Sequence, residues 1–164
     1  MNFFPWLLWL HIFGAIVAFG PTFVFPLIGG MGGKEPMHAN FAVRISEKIE
    51  RGIVIPLAIV QGITGVGLIL ASGRNLTSSV NYWLDVAIVL YAFALYFAIF
   101  VQLKRVEAVI HMTSTPPPPP APGEVPAGPP PVLMAAVKAV QQGGMVLTVL
   151  IVTIIFLMVI KPGS

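Results

Sequence analysis

The chain has 164 residues, of which 57% are hydrophobic and only 9% are charged, and its mean hydropathy is +0.91. Soluble chains are about 45–50% apolar and about 25% charged, so this composition argues against soluble enzymes and disordered proteins and indicates a membrane protein. The net charge is +3, but the nine basic residues are dispersed among apolar runs, which argues against a nucleic-acid partner. The absence of cysteine excludes disulfides, zinc–thiolate sites and cysteine nucleophiles.

Four apolar stretches are each long enough to cross a bilayer, which takes about 20 mostly apolar residues in an α-helix. They lie at about 3–28, 52–72, 82–103 and 132–160. None alternates as the strands of a barrel do, so the expected fold is all-α, a single four-transmembrane-helix bundle. The first stretch has no basic residue before it and is too long for a signal peptide, which predicts a retained helix.

The positions of lysine and arginine predict the orientation of the bundle. Both termini and the loop between helices 2 and 3 share one side, which carries only Arg74 and Lys161. The opposite side carries seven basic residues: Lys34, Arg44, Lys48, Arg51, Lys104, Arg105 and Lys138. We therefore expect both termini on the outer side of a cell membrane. Four aromatic residues then fall at the outer interface: Trp6, Trp9, Tyr82 and Trp83.

The two predicted cytoplasmic loops differ in composition. The first begins with the glycine-rich, flexible run 29–33 and then has an amphipathic pattern over Arg44–Arg51, which predicts a short surface helix leading into helix 2. Its basic residues form either a positive-inside anchor or the rim of a ligand pocket. The second, at 113–131, is proline-rich and predicts a polyproline II or disordered cytoplasmic linker.

Two features of the helices shape the expected interior of the bundle. Pro21 and Pro56 are expected to kink helices 1 and 2, and such kinks can open a cavity between helices. Small and polar residues in helices 2 and 4 indicate seams of close helix packing. These residues are Gln61, Gly62, Thr64, Gly65, Gly67, Gly144 and Thr148.

Two ionisable residues inside the predicted helices are the functional candidates, because such groups are costly in hydrocarbon. His11 lies about eight residues, or roughly 12 Å, into helix 1. Asp85 lies a few residues into helix 3 from the same side, at a depth that would allow contact with His11. Asp85 is interpreted either as a proton or polar partner in this cluster, pairing with His11 or Lys161, or as an acid that complements the helix dipole.

Small residues line the helix face beside His11, namely Gly14, Ala15 and Ala18, followed by Thr22. This face would leave room for a flat porphyrin, with His11 as the axial ligand of a haem b iron. It would equally suit close packing of another helix, with His11 hydrogen bonded across the interface. Both interpretations remain open from the residues alone.

A second axial ligand for such an iron is harder to find in the sequence. His38 and His111 fall on the predicted cytoplasmic side, away from His11, so a bis-histidine haem within one chain is not expected. Met158, near the outer end of helix 4, is the only sulfur at a comparable depth.

Short motifs in the four helices match those of known membrane families in order and placement. They are Leu10-His11-Ile12 followed by Phe19-Gly20, the run Glu50–Pro56, Trp83-Leu84 and Lys161-Pro162. Together they resemble the bacterial four-helix protoporphyrinogen oxidases. Copper-resistance D-like domains share the same four-helix arrangement. So does a family of predicted integral membrane proteins of unknown function, and the whole chain resembles this last family most. The resemblance implies a b-type haem or porphyrin near His11 and a bacterial inner membrane.

The resemblance leaves enzymatic activity open, because two cationic positions of the oxidases are replaced here. Leu27 stands where the oxidases have an arginine after the proline of helix 1, and Ala87 stands where they have a lysine in helix 3. Loss of these cations would weaken the binding of porphyrin propionate groups.

Three functions follow from the sequence. The first is haem or porphyrin binding for redox or porphyrin handling, with a quinone or another membrane redox partner. The second is a non-enzymatic structural or accessory role in the membrane. The third is copper-related transport, for which the seven methionines are scattered and a homo-oligomer would be needed to form a conduit.

Overall fold

The computed structural model describes residues 3–73, 76, 81–115 and 128–163. These residues are helical, and no strand forms among them. Four helical rods are long and apolar enough to cross a membrane: Phe4–Lys34, Ala39–Ser72, Tyr82–Met112 and Pro131–Ile160. The predicted all-α, four-helix membrane architecture is therefore confirmed. Arg74 and most of the proline-rich linker predicted at 113–131 lie outside the described residues.

Three of the four rods change helix type along their length. The first consists of α1 (Phe4–Phe19), a 3₁₀ turn (Gly20–Phe23) and α2 (Phe25–Lys34). The second consists of α3 (Ala39–Ile49), a π-helical turn (Glu50–Val54) and α4 (Ile55–Ser72). The third consists of α5 (Tyr82–Phe97), a π-helical turn (Ala98–Gln102) and α6 (Leu103–Met112). The fourth is the single helix α7 (Pro131–Ile160).

Proline accounts for two of these changes. Pro21 lies within the 3₁₀ turn, and Pro56 is the second residue of α4, which follows the first π turn. Proline has no N–H to donate, so the carbonyl four residues before it loses its usual helical partner and the local hydrogen-bond pattern shifts. Changes of helix type are thus present at both prolines that the sequence indicated as sites of kinks. The π turn Ala98–Gln102 has no proline and was not predicted.

The first three rods extend beyond the predicted apolar stretches at the end that carries most of the basic residues, called here the basic side. The run 29–33, predicted to be flexible, is helical and belongs to α2. Gly32 explains this, because an added Cβ would lie only 2.7 Å from Cβ of Ala42, so α2 packs closely on α3. The predicted amphipathic helix at Arg44–Arg51 exists, but it is continuous with α4 and packs against α2 and α6.

The rods pack differently at the two ends of the bundle. At the end that carries the chain termini, called here the termini side, α1 packs on α4 and α5 packs on α7. Between these two pairs, α4 touches α5 only slightly, and α1 packs on neither α5 nor α7. At the basic side, α2, α3, α6 and α7 form a continuous row of packed helices. The bundle is therefore joined at its basic side and divided at its termini side.

Apolar side chains cover the outward faces of the rods. In the most apolar segment of each rod, only 11% to 22% of the residues are buried within the chain. Ile63, Leu70 and Val149 are among the exposed aliphatic residues. Because lipid chains solvate such side chains, the membrane shields them from water, as the core of a soluble protein does for its own apolar side chains. Contact with the lipid bilayer follows from this distribution.

The predicted orientation can be tested with single cysteines, since the natural chain has none. We expect Gly163→Cys on the termini side to react with a membrane-impermeant maleimide in intact bacterial cells. Ser114→Cys on the basic side should react only after the membrane is permeabilised, because positively charged loops are retained in the cytoplasm. The reverse labelling pattern would contradict the predicted orientation, and labelling of both variants after permeabilisation serves as the control.

Candidate functional site

A cavity of about 2630 Å³ lies between the two helix pairs and continues toward the basic side. All four rods contribute to its lining, and representative residues are Leu8, Gly62, Ile88 and Thr148. Ligand pockets commonly enclose about 300–1,000 Å³, so this space exceeds the size needed for a large cofactor. It exists because α1 and α4 scarcely approach α5 and α7.

His11 lies at the boundary between α1 and α4 and also lines the cavity. Its Nδ1 atom is 2.8 Å from Oγ1 of Thr64. The Thr64 hydroxyl in turn donates to the Gln61 carbonyl oxygen at 3.0 Å. When the single Thr64 hydroxyl proton lies on the Gln61 carbonyl, the imidazole donates Nδ1–H to Thr64, and its Nε2 atom keeps a free lone pair.

The Nε2 atom of His11 is accessible from the cavity. None of the described residues hydrogen bonds to it, and it is not among the polar atoms enclosed by protein. No three His, Asp or Glu side chains of the described residues gather to hold a metal ion, so His11 stands as a single available ligand. A neutral imidazole, with one nitrogen held by an acceptor and the other free, suits axial coordination of a haem iron.

The small-residue face beside His11 serves two purposes. Gly14 and Ala18 are buried in the bundle, and an added Cβ on Gly14 would lie 2.9 Å from Oε1 of Gln61 on α4. Ala15 instead lines the cavity. Close helix packing therefore explains Gly14 and Ala18, whereas Ala15 leaves space next to the imidazole.

Asp85 is not brought together with His11. It is half-buried in the first turn of α5, where an acid complements the helix dipole, and it does not line the cavity. Within the described ranges, no hydrogen bond or ion pair joins Asp85 to His11. The structure thus favours the helix-dipole interpretation of Asp85.

Trp83 corrects one prediction about the aromatic residues. Its side chain is only 3% exposed and lines the cavity, although it was expected at the membrane interface with Trp6 and Tyr82, which are exposed. The Lys161 ammonium lies 5.9 Å from the centre of the Trp83 ring, a distance that allows a cation–π interaction. The ring is therefore held inside the bundle beneath a cation.

The cations available to the cavity differ from those expected by resemblance to the oxidases. Leu27 is exposed and does not line the cavity, whereas Ala87 is fully buried and does. Among the described residues, the cationic side chains that line the cavity are Lys161 on the termini side and Lys138 on the basic side. Lys161 therefore supplies a positive charge in the same half of the cavity as His11.

Two polar residues at the basic-side half of the cavity were not selected from the sequence. Glu50 is 7% exposed and Gln102 is 5% exposed, and each lies in a π turn and lines the cavity. Gln102 donates from Nε2 to the Val140 carbonyl at 2.9 Å, and its Oε1 is buried without a partner. Gln102 could have been selected from the sequence, because it is a polar residue inside the apolar stretch 82–103. Glu50 gave no such signal, because it lies just before the stretch 52–72.

Comparison with known proteins bears on the chain as a whole. The DUF2269 family, described as a predicted integral membrane protein, matches residues 5–162. No curated protein and no solved structure matches the chain. The family match includes all four rods and the residues that line the cavity, except Phe4 at the start of α1. The chain therefore belongs to the DUF2269 family of predicted integral membrane proteins, as its sequence resemblance predicted.

Proposed function

We propose that the protein binds haem b or a related porphyrin in the termini-side half of the cavity, with Nε2 of His11 as an axial ligand of the iron. The observation that carries this proposal is the free Nε2 of His11 at a wide cavity, with Nδ1 held by Thr64. A histidine held in one tautomer by its second nitrogen is a common metal ligand. The small side chain of Ala15 leaves space beside it.

Other residues of the cavity fit the remaining parts of the cofactor. Apolar side chains such as Leu8 and Ile88 suit a porphyrin ring, since burying apolar area is favourable. Lys161 supports the proposal because an ammonium group near the membrane surface can pair with a propionate. Met158 also lines the cavity and is the candidate for a second axial ligand.

Haem, when bound, supplies one-electron redox chemistry, and the chain supplies its orientation and surroundings. Thr64 would hold His11 in one tautomer, and the apolar lining would keep water away from a bound porphyrin. A lipid-soluble quinone is the electron partner of matching chemistry, because the cavity lies between two helix pairs that are themselves embedded in lipid. Redox or porphyrin handling in the membrane is thus the proposed role.

The absorption spectrum of the purified protein tests this proposal. Protein expressed with haem supplied and purified in detergent is expected to show a Soret band that shifts on reduction with dithionite. Ala15→Phe should lose the band because the ring would fill the space beside His11. Ala135→Phe, on an exposed position of α7 that does not line the cavity, should keep it. Wild-type protein without a Soret band under these conditions would contradict haem binding.

A second candidate function is a non-enzymatic accessory role within the membrane. The burial of Gly14 and Ala18 supports it, since small residues at helix interfaces serve close packing. In that case, wild-type protein would be purified without a chromophore. His11→Ala would then lower thermal stability through loss of the bond to Thr64 and would change nothing else.

A further inference from the structure

The carboxyl group of Glu50 is a second functional candidate in the same cavity. The residue is 7% exposed and lines the cavity at its basic-side half. None of the described residues forms a hydrogen bond or a salt bridge with it. Its oxygens are not among the enclosed, unpaired polar atoms, so they are open to the cavity space. Glu50 is thus a buried acid that has no bonded partner among the described residues and that borders the cavity.

None of the elements packed against this π turn pairs a cation with the carboxyl group, and Lys138, which lines the same half of the cavity, is on α7, which is not one of those elements. The elements packed against its π turn are α3, α4, α1 and the 3₁₀ turn Gly20–Phe23. Neither α4 nor the 3₁₀ turn has an ionisable acid or base, and the one on α1 is His11, which is bonded to Thr64. On α3, Arg44 and Lys48 are exposed to the outside of the bundle.

The neighbouring arginine is already paired with other carboxylates. Nε of Arg51 is 2.6 Å from Glu47, and its Nη2 is 2.5 Å from Glu107 on α6. This guanidinium group therefore joins the second and third rods outside the cavity, and its charge is shared by two acids. Glu47, the other acid close to Glu50 on α3, adds negative charge and is itself held by Arg51.

Two helix interruptions meet beside Glu50. The π turn that it begins contacts the 3₁₀ turn Gly20–Phe23, and Thr22 of that turn also lines the cavity. Irregular backbone within a membrane occurs where it is buried in protein or lines a cavity that admits water, and π turns are frequent at functional sites. From Glu50 the polar lining continues toward the basic side through Ser46 and Asn40. Polar side chains therefore line this half of the cavity between the carboxyl group and the basic side.

We propose that Glu50 is a proton-binding site, which takes up protons from the basic side and presents them to the cavity. A carboxylate without a cation in an apolar surrounding carries a high desolvation cost, so the neutral, protonated form is favoured. A hydronium ion gives its proton to a carboxylate oxygen and leaves as water, and the acid later releases that proton to water or to a base in the cavity. The proposal stands whether or not haem binds at His11.

An apolar carbodiimide tests this proposal on the full chain in lipid nanodiscs. Dicyclohexylcarbodiimide reacts with protonated carboxyl groups: the acid proton moves to a carbodiimide nitrogen and the carboxylate oxygen adds to the central carbon. The adduct rearranges to a stable N-acylurea, which mass spectrometry of peptides can locate. We expect Glu50 to be labelled several-fold more than Glu107, with labelling that declines as the pH is raised. Equal labelling of both residues would overturn the proposal.

Cation competition and infrared spectra provide independent tests. If sodium or ammonium chloride at constant pH protected Glu50 from the reagent, the site would hold a cation and not a proton, and the proposal would be overturned. The carbonyl stretching band of a buried, protonated carboxyl group should be absent in Glu50→Gln and retained in the matched variant Glu107→Gln. Persistence of the band in Glu50→Gln would also overturn the proposal that Glu50 binds a proton. The neutral glutamine resembles the protonated acid, so we expect this variant to fold.

Discussion

Replacing His11 with alanine is expected to abolish the Soret band of protein expressed with haem supplied. The variant removes the free Nε2 atom that faces the cavity, while its small side chain leaves the surrounding packing intact. Haem affinity should fall by more than about 100-fold, because even the loss of an outer hydrogen-bond partner of a metal-ligating histidine costs roughly 10–100-fold. Titration of haem into apoprotein, followed by absorbance, measures the change.

Two further variants separate iron ligation from other effects. His111→Ala, at an exposed position in α6, should retain the affinity of the wild type. Thr64→Val removes the acceptor of Nδ1–H, so the affinity should fall by about tenfold while the band remains. If His11→Ala bound haem as tightly as His111→Ala, His11 would not be the ligand.

Replacing Gly14 with leucine is expected to force α1 and α4 apart. Even the first added carbon would lie 2.9 Å from Oε1 of Gln61, a buried side chain, and the leucine carries three more. Overpacking of this kind typically costs about 1–3 kcal/mol, and here it would also stretch the bond from His11 to Thr64. Thermal unfolding in detergent, followed by circular dichroism, should show a lower transition temperature.

Gly29→Leu is the matched control for this variant. Gly29 is a helical glycine in α2 with no heavy atom within 4 Å of an added Cβ. Both substitutions gain the same intrinsic helix propensity, about 1 kcal/mol relative to glycine, so the difference between them isolates the steric effect at the interface. Equal transition temperatures for the two variants would contradict the close packing of α1 on α4.

The sequence predicted the number and position of the spans because hydrocarbon imposes a length and a composition on each helix. It missed the extensions α2 and α6 and the continuity of α3 with α4, since charged and glycine-rich helices outside the hydrocarbon have the composition of loops. Gly32 shows the difficulty: glycine suggests flexibility, yet here it permits close contact with Ala42. Only the packing of α2 on α3 decides between these interpretations.

The candidate site was partly predictable for similar reasons. His11 was selected because an ionisable group in an apolar stretch is rare, and Thr64 belonged to a stripe already noted as a packing seam. The cavity itself was not predictable, since it depends on how far one helix pair stands from the other. Glu50 was missed because the amphipathic pattern of Arg44–Arg51 predicted a surface helix, and no sequence pattern marks the π turn in which Glu50 is buried.

The division of the bundle at its termini side has a mechanical consequence. The pairs α1/α4 and α5/α7 are joined mainly through the row of helices at the basic side, so their termini-side ends can move apart or together about that row. Few contacts cross the gap, among them the hydrogen bond from the Tyr91 hydroxyl to the Ala58 carbonyl, so lateral pressure from lipid chains acts on the width of the gap. The thickness and composition of the bilayer would then influence the dimensions of the cavity without any change in sequence.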